Sequence, residues 1–430
     1  MRQCMPLPAA SGTRLVSPAL FILAAGAILT AGCRESPSAV PAEDAGPLVA
    51  DTTGVHVIND SAASWGPATP WTVGVAPTFD AGQPLHPLLG VPAPVWLSDG
   101  RIVVANASKQ EILYFDPSGK LLLTAGGRGV EEGQFHGLGW IGLAPADTIV
   151  AYDFVSNRLS LFDPKGHFVR SVGLPVGGAG SSAEPIVTYP DGSLLVRVGG
   201  AGGPFIGKAG QVRRDSASYV RVGLDGILRA TLGTFPQGET FGVMAHGKQG
   251  VTSAFPVPFG LFTTAAVRGD TTFIGTGSRF EIVSLGATGA PVRLLRVAIS
   301  RPVVTPAEQE EFTSSAISRL RTASTMMKTP LDTNLLAALA KAPFPARKPA
   351  FGRLQVDVTG ALWVSAPLTP PQAPTSWNVF APDGTWLGSV TTPAGFRVDV
   401  IGEDAMLGVW RATNGEERVQ VYPLFRGPAS

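Results

Sequence analysis

Five aspartates recur beside the ends of extended apolar runs: Asp99, Asp153, Asp191, Asp357 and Asp399. Carboxylates brought from separate repeats onto one axis could hold a divalent ion, calcium by oxygen ligands alone or zinc with imidazole help. Such an ion would serve a hydrolase or lyase by polarising a carbonyl or activating water. Imidazole is scarce, however: His136, His167 and His246 are the histidines of the repeat region. The chain has no HExxH, no closely spaced histidine pair and no GxSxG nucleophile elbow. A short acid at a strand end ordinarily accepts backbone N–H groups in a turn, and that is the first reading of all five. The expectation is therefore a binding or protein-interaction module rather than an enzyme. The alternative is a divalent-metal-dependent hydrolase or lyase with its site where the repeats converge. No cofactor is predicted, calcium or zinc being the ions that the alternative would need.

Two loops could carry specificity for a protein or small-molecule ligand. The first, AGGPFIGKAGQVRRDSAS, holds Arg213 and Arg214; the second, within 236–262, holds Phe241, His246 and Phe255. Long loops on a rigid scaffold are where binding groups concentrate. A phosphate cradle is not expected in the glycine-dense GGRGVEEGQFHGLGW, which lacks both the GxGxxG spacing and a GK[ST]. Nucleic acid is excluded as a partner on charge: 33 Lys+Arg balance 32 Asp+Glu and no basic block occurs.

The elements that must position these residues are strands. Residues 97–126 (LSDGRIVVANASKQEILYFDPSGKLLLTAG) and 143–173 (LAPADTIVAYDFVSNRLSLFDPKGHFVRSVG) are two copies of one pattern: strand, polar break, strand ending in Asp-Pro, Gly turn, strand. Asp116 and Asp163 are 47 residues apart, the period of a propeller blade. With 52 Gly and 38 Pro between short apolar runs, the chain suits many strands and tight turns. Related units follow at IVTYPDGSLLVRVGG with YVRVGLDGILRATLG, at TTFIGTG with RFEIVSLGATGAPVRLLRVA, at FGRLQVDVTGALWVSAP with WNVFAPDGTWLGSVTTP, and at GFRVDVIGEDAMLGVWR with ERVQVYPLF. The fourth is degenerate, Leu285-Gly286-Ala287 replacing the Asp turn. The expected fold is all-β, a six-bladed β-propeller over 71–427. Val55–Ile58 and Trp71–Val73 are short strand candidates that could return to the last blade.

A helical insertion is expected at 305–345. Thr305, Pro306 and Glu308 supply an N-cap hydroxyl, a proline at N1 and an acid at N3, and Phe312, Ala316 and Leu320 give one apolar face. The spacing predicts one helix over 306–323 and a shorter one over Leu331–Lys341.

The amino end gives an address. Residues 1–32 combine Arg2 and Arg14 with the apolar run LVSPALFILAAGAILTAG, the form of an export signal. Leu29-Thr30-Ala31-Gly32-Cys33 resembles a bacterial lipoprotein box, which implies lipidation of Cys33. Residues 33–70 have the Pro, Ala and Ser content of a flexible tether. The expectation is an exported cell-envelope lipoprotein held by its N-terminal lipid, at the outer membrane and facing the periplasm or cell surface.

The propeller pattern as a whole resembles the six-bladed NHL-repeat and TolB-like superfamily. More narrowly, Asp99–Val104, Phe115–Gly119, Gly127–Phe135 and Val304–Glu308 resemble a group of exported bacterial lipoproteins of unknown role. The resemblance implies architecture, since the fold carries binding proteins and enzymes alike.

Overall fold

The computed structural model describes residues 54–427, except 61, 66–70, 83–86, 175–180, 201–209, 245–251, 329, 332 and 368–372. Six antiparallel sheets follow one another in chain order. The first blade is formed by Val95–Trp96, Ile102–Asn106, Glu111–Phe115 and Leu121–Gly126, the second by Leu138–Ala144, Thr148–Asp153, Arg158–Phe162 and Phe168–Gly173. The third takes Ser181–Thr188, Leu194–Gly200, Ser216–Val222 and Leu228–Pro236; the fourth Thr264–Arg268, Thr271–Gly275, Glu281–Leu285 and Pro291–Val297. Leu354–Val356, Leu362–Ser365, Thr375–Phe380 and Trp386–Thr392 make the fifth, and Phe396–Ile401, Ala405–Arg411 and Glu417–Arg426 the sixth.

The repeated Asp-x-x-Gly explains why the outer strands form hairpins. The Asp116 carboxylate accepts the N–H groups of Ser118 at 2.9 Å and Lys120 at 3.0 Å, and Gly119 takes the left-handed φ of 87° that closes the turn. Asp163 does the same for Lys165 and His167, both at 2.8 Å. The degenerate fourth blade keeps the turn without the acid, Gly286 N–H donating to the Ala290 carbonyl at 2.9 Å.

The core lies between blades. Separate buried clusters join each successive pair: Tyr114, Phe135 and Phe162 between the first and second, Leu159, Leu194 and Val220 between the second and third. Tyr189, Tyr219 and Ile274 join the third to the fourth, Phe280, Phe351 and Phe380 the fourth to the fifth, and Trp363, Trp377 and Met406 the fifth to the sixth. The last interface, with Phe79, Ile102, Phe115, Leu407 and Val421, joins the sixth blade to the first. A stack of sheets in which the last packs on the first is a ring. Closure is completed by the amino end: Phe79–Ala81 and Trp71–Val73 both pair with Glu417–Arg426, which gives the last blade its outer strand. Of the two early strand candidates, only Trp71–Val73 returns to the last blade. His56–Asp60 instead pairs in parallel with Pro291–Val297 of the fourth.

Two inserts interrupt the ring. Val212–Arg213, Thr240–Met244 and Thr252–Pro256 form a small sheet outside the blades. Between the fourth and fifth blades come α1, Pro306–Met327, and α2, Thr333–Ala340. The capping box at Thr305 and Glu308 is formed as the sequence requires. α1 continues past the expected residue 323 to a left-handed cap at Lys328.

Candidate functional site at the mouth of the channel

Strand direction alternates within a blade, so the turns between first and second strands all lie on one face of the ring. The links between blades lie on the other. Asp99, Asp191 and Asp357 sit in first-to-second turns, and each is used locally. Asp99 holds Arg101, Asp191 holds Ser193 and Arg221, and Asp357 accepts from Thr359, Ala361 and the Trp363 indole. Asp153 is on the link face but buried, its two oxygens taking the N–H groups of His136 (2.8 Å), Gly137 (3.1 Å), Val155 (2.9 Å) and Ser156 (3.2 Å). Burial pushes its pKa up, but these donors outweigh burial and hold it below the usual carboxylate range.

Asp399 alone of the five lines the channel. The first strand of each blade contributes to a central cavity of about 560 Å³ whose lining includes Trp96, Trp140, Glu184, Tyr219, Arg353 and Asp399. A second cavity, of about 450 Å³, opens between the fifth and sixth blades and shares Phe262 and Arg353 with the first. Its residues are those that precede the first strands of these blades (Gly352, Arg353, Gly395) or flank second-to-third joins (Ser365, Thr375, Val409, Arg411). They therefore belong to the link face, at the mouth of the channel.

The mouth combines an apolar wall with arginines. Phe262, Trp377, Phe396 and Val398 form the wall; Arg353, Arg397 and Arg411 are the charges. Asp399, its side chain only 1 % exposed, holds two of them. Its Oδ1 accepts from Arg353 Nη1 and Nη2 at 3.1 Å each, and its two oxygens accept from Arg397 Nε at 3.1 Å each. Arg397 is further fixed by the carbonyls of Val91 and Pro92, and Arg353 by that of Val398 at 3.0 Å. This leaves Arg353 Nε and Arg397 Nη1 without a hydrogen-bond partner among the described residues. Desolvation is the main influence on Arg353 and, despite Asp399, lowers its pKa from the ordinary guanidinium value. Arg411 is paired with the buried Glu417, which also takes the Val91 N–H at 2.8 Å. The buried Trp377 Nε1, also in this wall, has no acceptor among the described residues.

Such an arrangement can bind an oxyanion and stabilise negative charge developing on oxygen. It does not fit a divalent ion. The carboxylates in the channel lining are Glu184 and Asp399, and each already faces guanidinium, Glu184 that of Arg197. Among the described residues no three His, Cys, Asp or Glu side chains come together as a metal site.

The other candidates lie elsewhere. Arg213 pairs with Asp215. Arg214 donates to the carbonyls of Gln237 and Thr276, both at 2.8 Å, and burial lowers its pKa. Phe241 is buried against Phe255 in the small sheet. His246 and Cys33 lie outside the described residues, as do the export signal and most of the tether. What the sequence missed was the arginine set: Arg353, Arg397 and Arg411 belong to no motif and lie on three strands or links.

Fold and site together define a six-bladed β-propeller with a cationic, apolar-walled mouth. No family model matches the chain, and no curated protein matches it. Solved structures to which it is similar include a protein of Bacteroides fragilis thought to be exported, at 10 % identity over 86 % of this chain and 99 % of that one, TM-score 0.44. Others are a virginiamycin B lyase from Staphylococcus aureus (10 %, 78 % and 95 %, TM-score 0.39) and a gluconolactonase from Xanthomonas campestris (13 %, 83 % and 98 %, TM-score 0.40). The narrower likeness to NHL-repeat and TolB-like proteins is not among these findings. One expectation from the sequence is corrected here. Propellers of this kind include a lyase and a gluconolactonase, so the preference for a non-enzyme is withdrawn. Likeness at this distance assigns no reaction, and the chemistry has to come from the chain's own residues.

Proposed function

We propose that the protein is a hydrolase or lyase of a small molecule that pairs an apolar body with a carboxyl group, as an ester or lactone before reaction and as a carboxylate after it, bound at the channel mouth between the fifth and sixth blades. The observation that carries this reading is the convergence of Arg353, Arg397 and Arg411 on a cavity walled by Phe262, Trp377 and Phe396. The apolar wall takes the body. Arg353 and Arg397, oriented by Asp399, take the carbonyl oxygen of an ester or lactone. As water adds, they stabilise the negative charge that builds on that oxygen, the C–O bond breaks, the leaving alkoxide takes a proton from that water, and the carboxylate product stays on the same guanidinium groups. No step runs through a metal ion.

The test is calorimetric titration with straight-chain monocarboxylates, together with turnover of the corresponding esters and lactones. Arg353→Gln and Arg397→Gln are expected to weaken carboxylate binding by about tenfold or more, the worth of one charged hydrogen bond. Carboxylates that do not bind, or that bind Arg353→Gln as tightly as the parent, would refute it.

We propose further that this site stands outside the cytosol, in the cell envelope, on a tether whose Cys33 carries lipid. The support is the leader and the Leu29–Cys33 box. Mass spectrometry of the mature amino terminus checks it, an unmodified Cys33 being the contrary result.

A further inference from the structure

The packing face of α1 contains a residue that apolar periodicity does not explain. Phe312 and Ala316 are turned toward the propeller. Phe312 sits 5.5 Å from Phe259 and 6.2 Å from Phe344, ring centre to ring centre, and Ala316 is buried. The next position on that face, at i, i+4, i+7 spacing, is Arg319. It lies against the 412–416 turn of the sixth blade: a Cβ at Gly415 would stand 3.4 Å from Arg319 Cγ. That turn leads directly from Arg411. The Arg319 side chain is half-buried, and among the described residues it makes no hydrogen bond and no ion pair. Desolvation and the neighbouring positive charge of Arg411 both act against its own charge.

A guanidinium placed beside another, partly desolvated and unanswered by a carboxylate, is unfavourable unless an anion comes to it. The amino-terminal part of α1 is meanwhile firmly anchored. The helix is capped at Thr305, Glu308 is paired with Lys348, and Lys348 lies over the Phe259 ring. Anchorage there holds Arg319 against the 412–416 turn, beside Arg411, which lines the channel mouth. The mouth itself has three guanidinium groups, Arg353, Arg397 and Arg411, held by two carboxylates, Asp399 and Glu417, and Arg319 is a further positive charge beside Arg411.

We infer that Arg319 and Arg411 form a second anion subsite, so that the ligand of the channel mouth carries two anionic groups and α1 closes over the second. This rests on the proposed anion site at Arg353 and Arg397 and narrows its substrate class to small dianions with an apolar span, of which dicarboxylates are the simplest. The test compares straight-chain dicarboxylates with monocarboxylates of the same length, by calorimetry on the full chain. The parent should prefer the dianion by about tenfold or more. Arg319→Gln should abolish that preference while leaving monocarboxylate affinity unchanged, and Arg319→Lys should restore part of it. A parent without preference, or a preference that survives Arg319→Gln, overturns the second subsite even where monocarboxylate binding still depends on Arg353. Failure of both kinds of carboxylate to bind overturns the subsite together with the function on which it rests.

Discussion

Asp399→Asn separates the structural from the ligand-binding role of the arginine set. The Asp399 carboxylate is almost wholly buried, while the Arg353 and Arg397 side chains are 39 % and 30 % exposed, toward the cavity. The amide keeps the shape and one acceptor oxygen, but it removes the single negative charge between two cations. Leaving a buried charge without its partner costs about 3–5 kcal/mol. Because the guanidinium heads reach solvent in the cavity, that figure is discounted to about 2 kcal/mol. The assay is urea unfolding at low ionic strength, with the parent and the variant compared at neutral pH. Added carboxylate or sulfate should restore the variant more than it stabilises the parent, since the anion replaces the lost charge and binding to the native state adds stability by mass action. Affinity for monocarboxylates should rise several-fold in the variant. A destabilisation below about 0.5 kcal/mol, or a variant that binds anions less well than the parent, would refute the reasoning that Asp399 serves the arginines by charge.

Two further outcomes test the frame around the site. Asp153→Asn should lose about 1–3 kcal/mol at neutral pH, since it leaves amide N–H groups opposite an NH₂. Because the folded pKa of Asp153 lies below the ordinary 3.8, its contribution is complete above about pH 4 and is lost as pH falls through the folded value. The gap between parent and variant in unfolding midpoint should therefore close below pH 4, and a gap independent of pH would contradict the assignment. Gly126→Ala places a methyl at φ 80°, 2.6 Å from the ring of the fully buried Phe135. A loss of about 2 kcal/mol or more in chemical denaturation is expected from backbone strain and overpacking together.

The sequence alone determined the blade. Alternating apolar runs, Asp-x-x-Gly turns and the Thr305–Glu308 capping box are local features, each satisfied by hydrogen bonds to residues within a few positions, so their spacing is legible without the fold. A local pattern could not distinguish Asp399 from Asp99, Asp191 or Asp357: all four stand beside apolar runs, yet three lie in turns and Asp399 within Phe396–Ile401, and only ring closure decides which side chain meets the axis. Nor could spacing unite Arg319 on a helix with Arg353, Arg397 and Arg411 from two blades. Closing the ring, with Trp71–Val73 and Phe79–Ala81 completing the last sheet, brings these groups together. Arg353, Arg397 and Arg411 then meet at one apolar wall, held by two carboxylates, Asp399 and Glu417, that lie far from some of them in sequence.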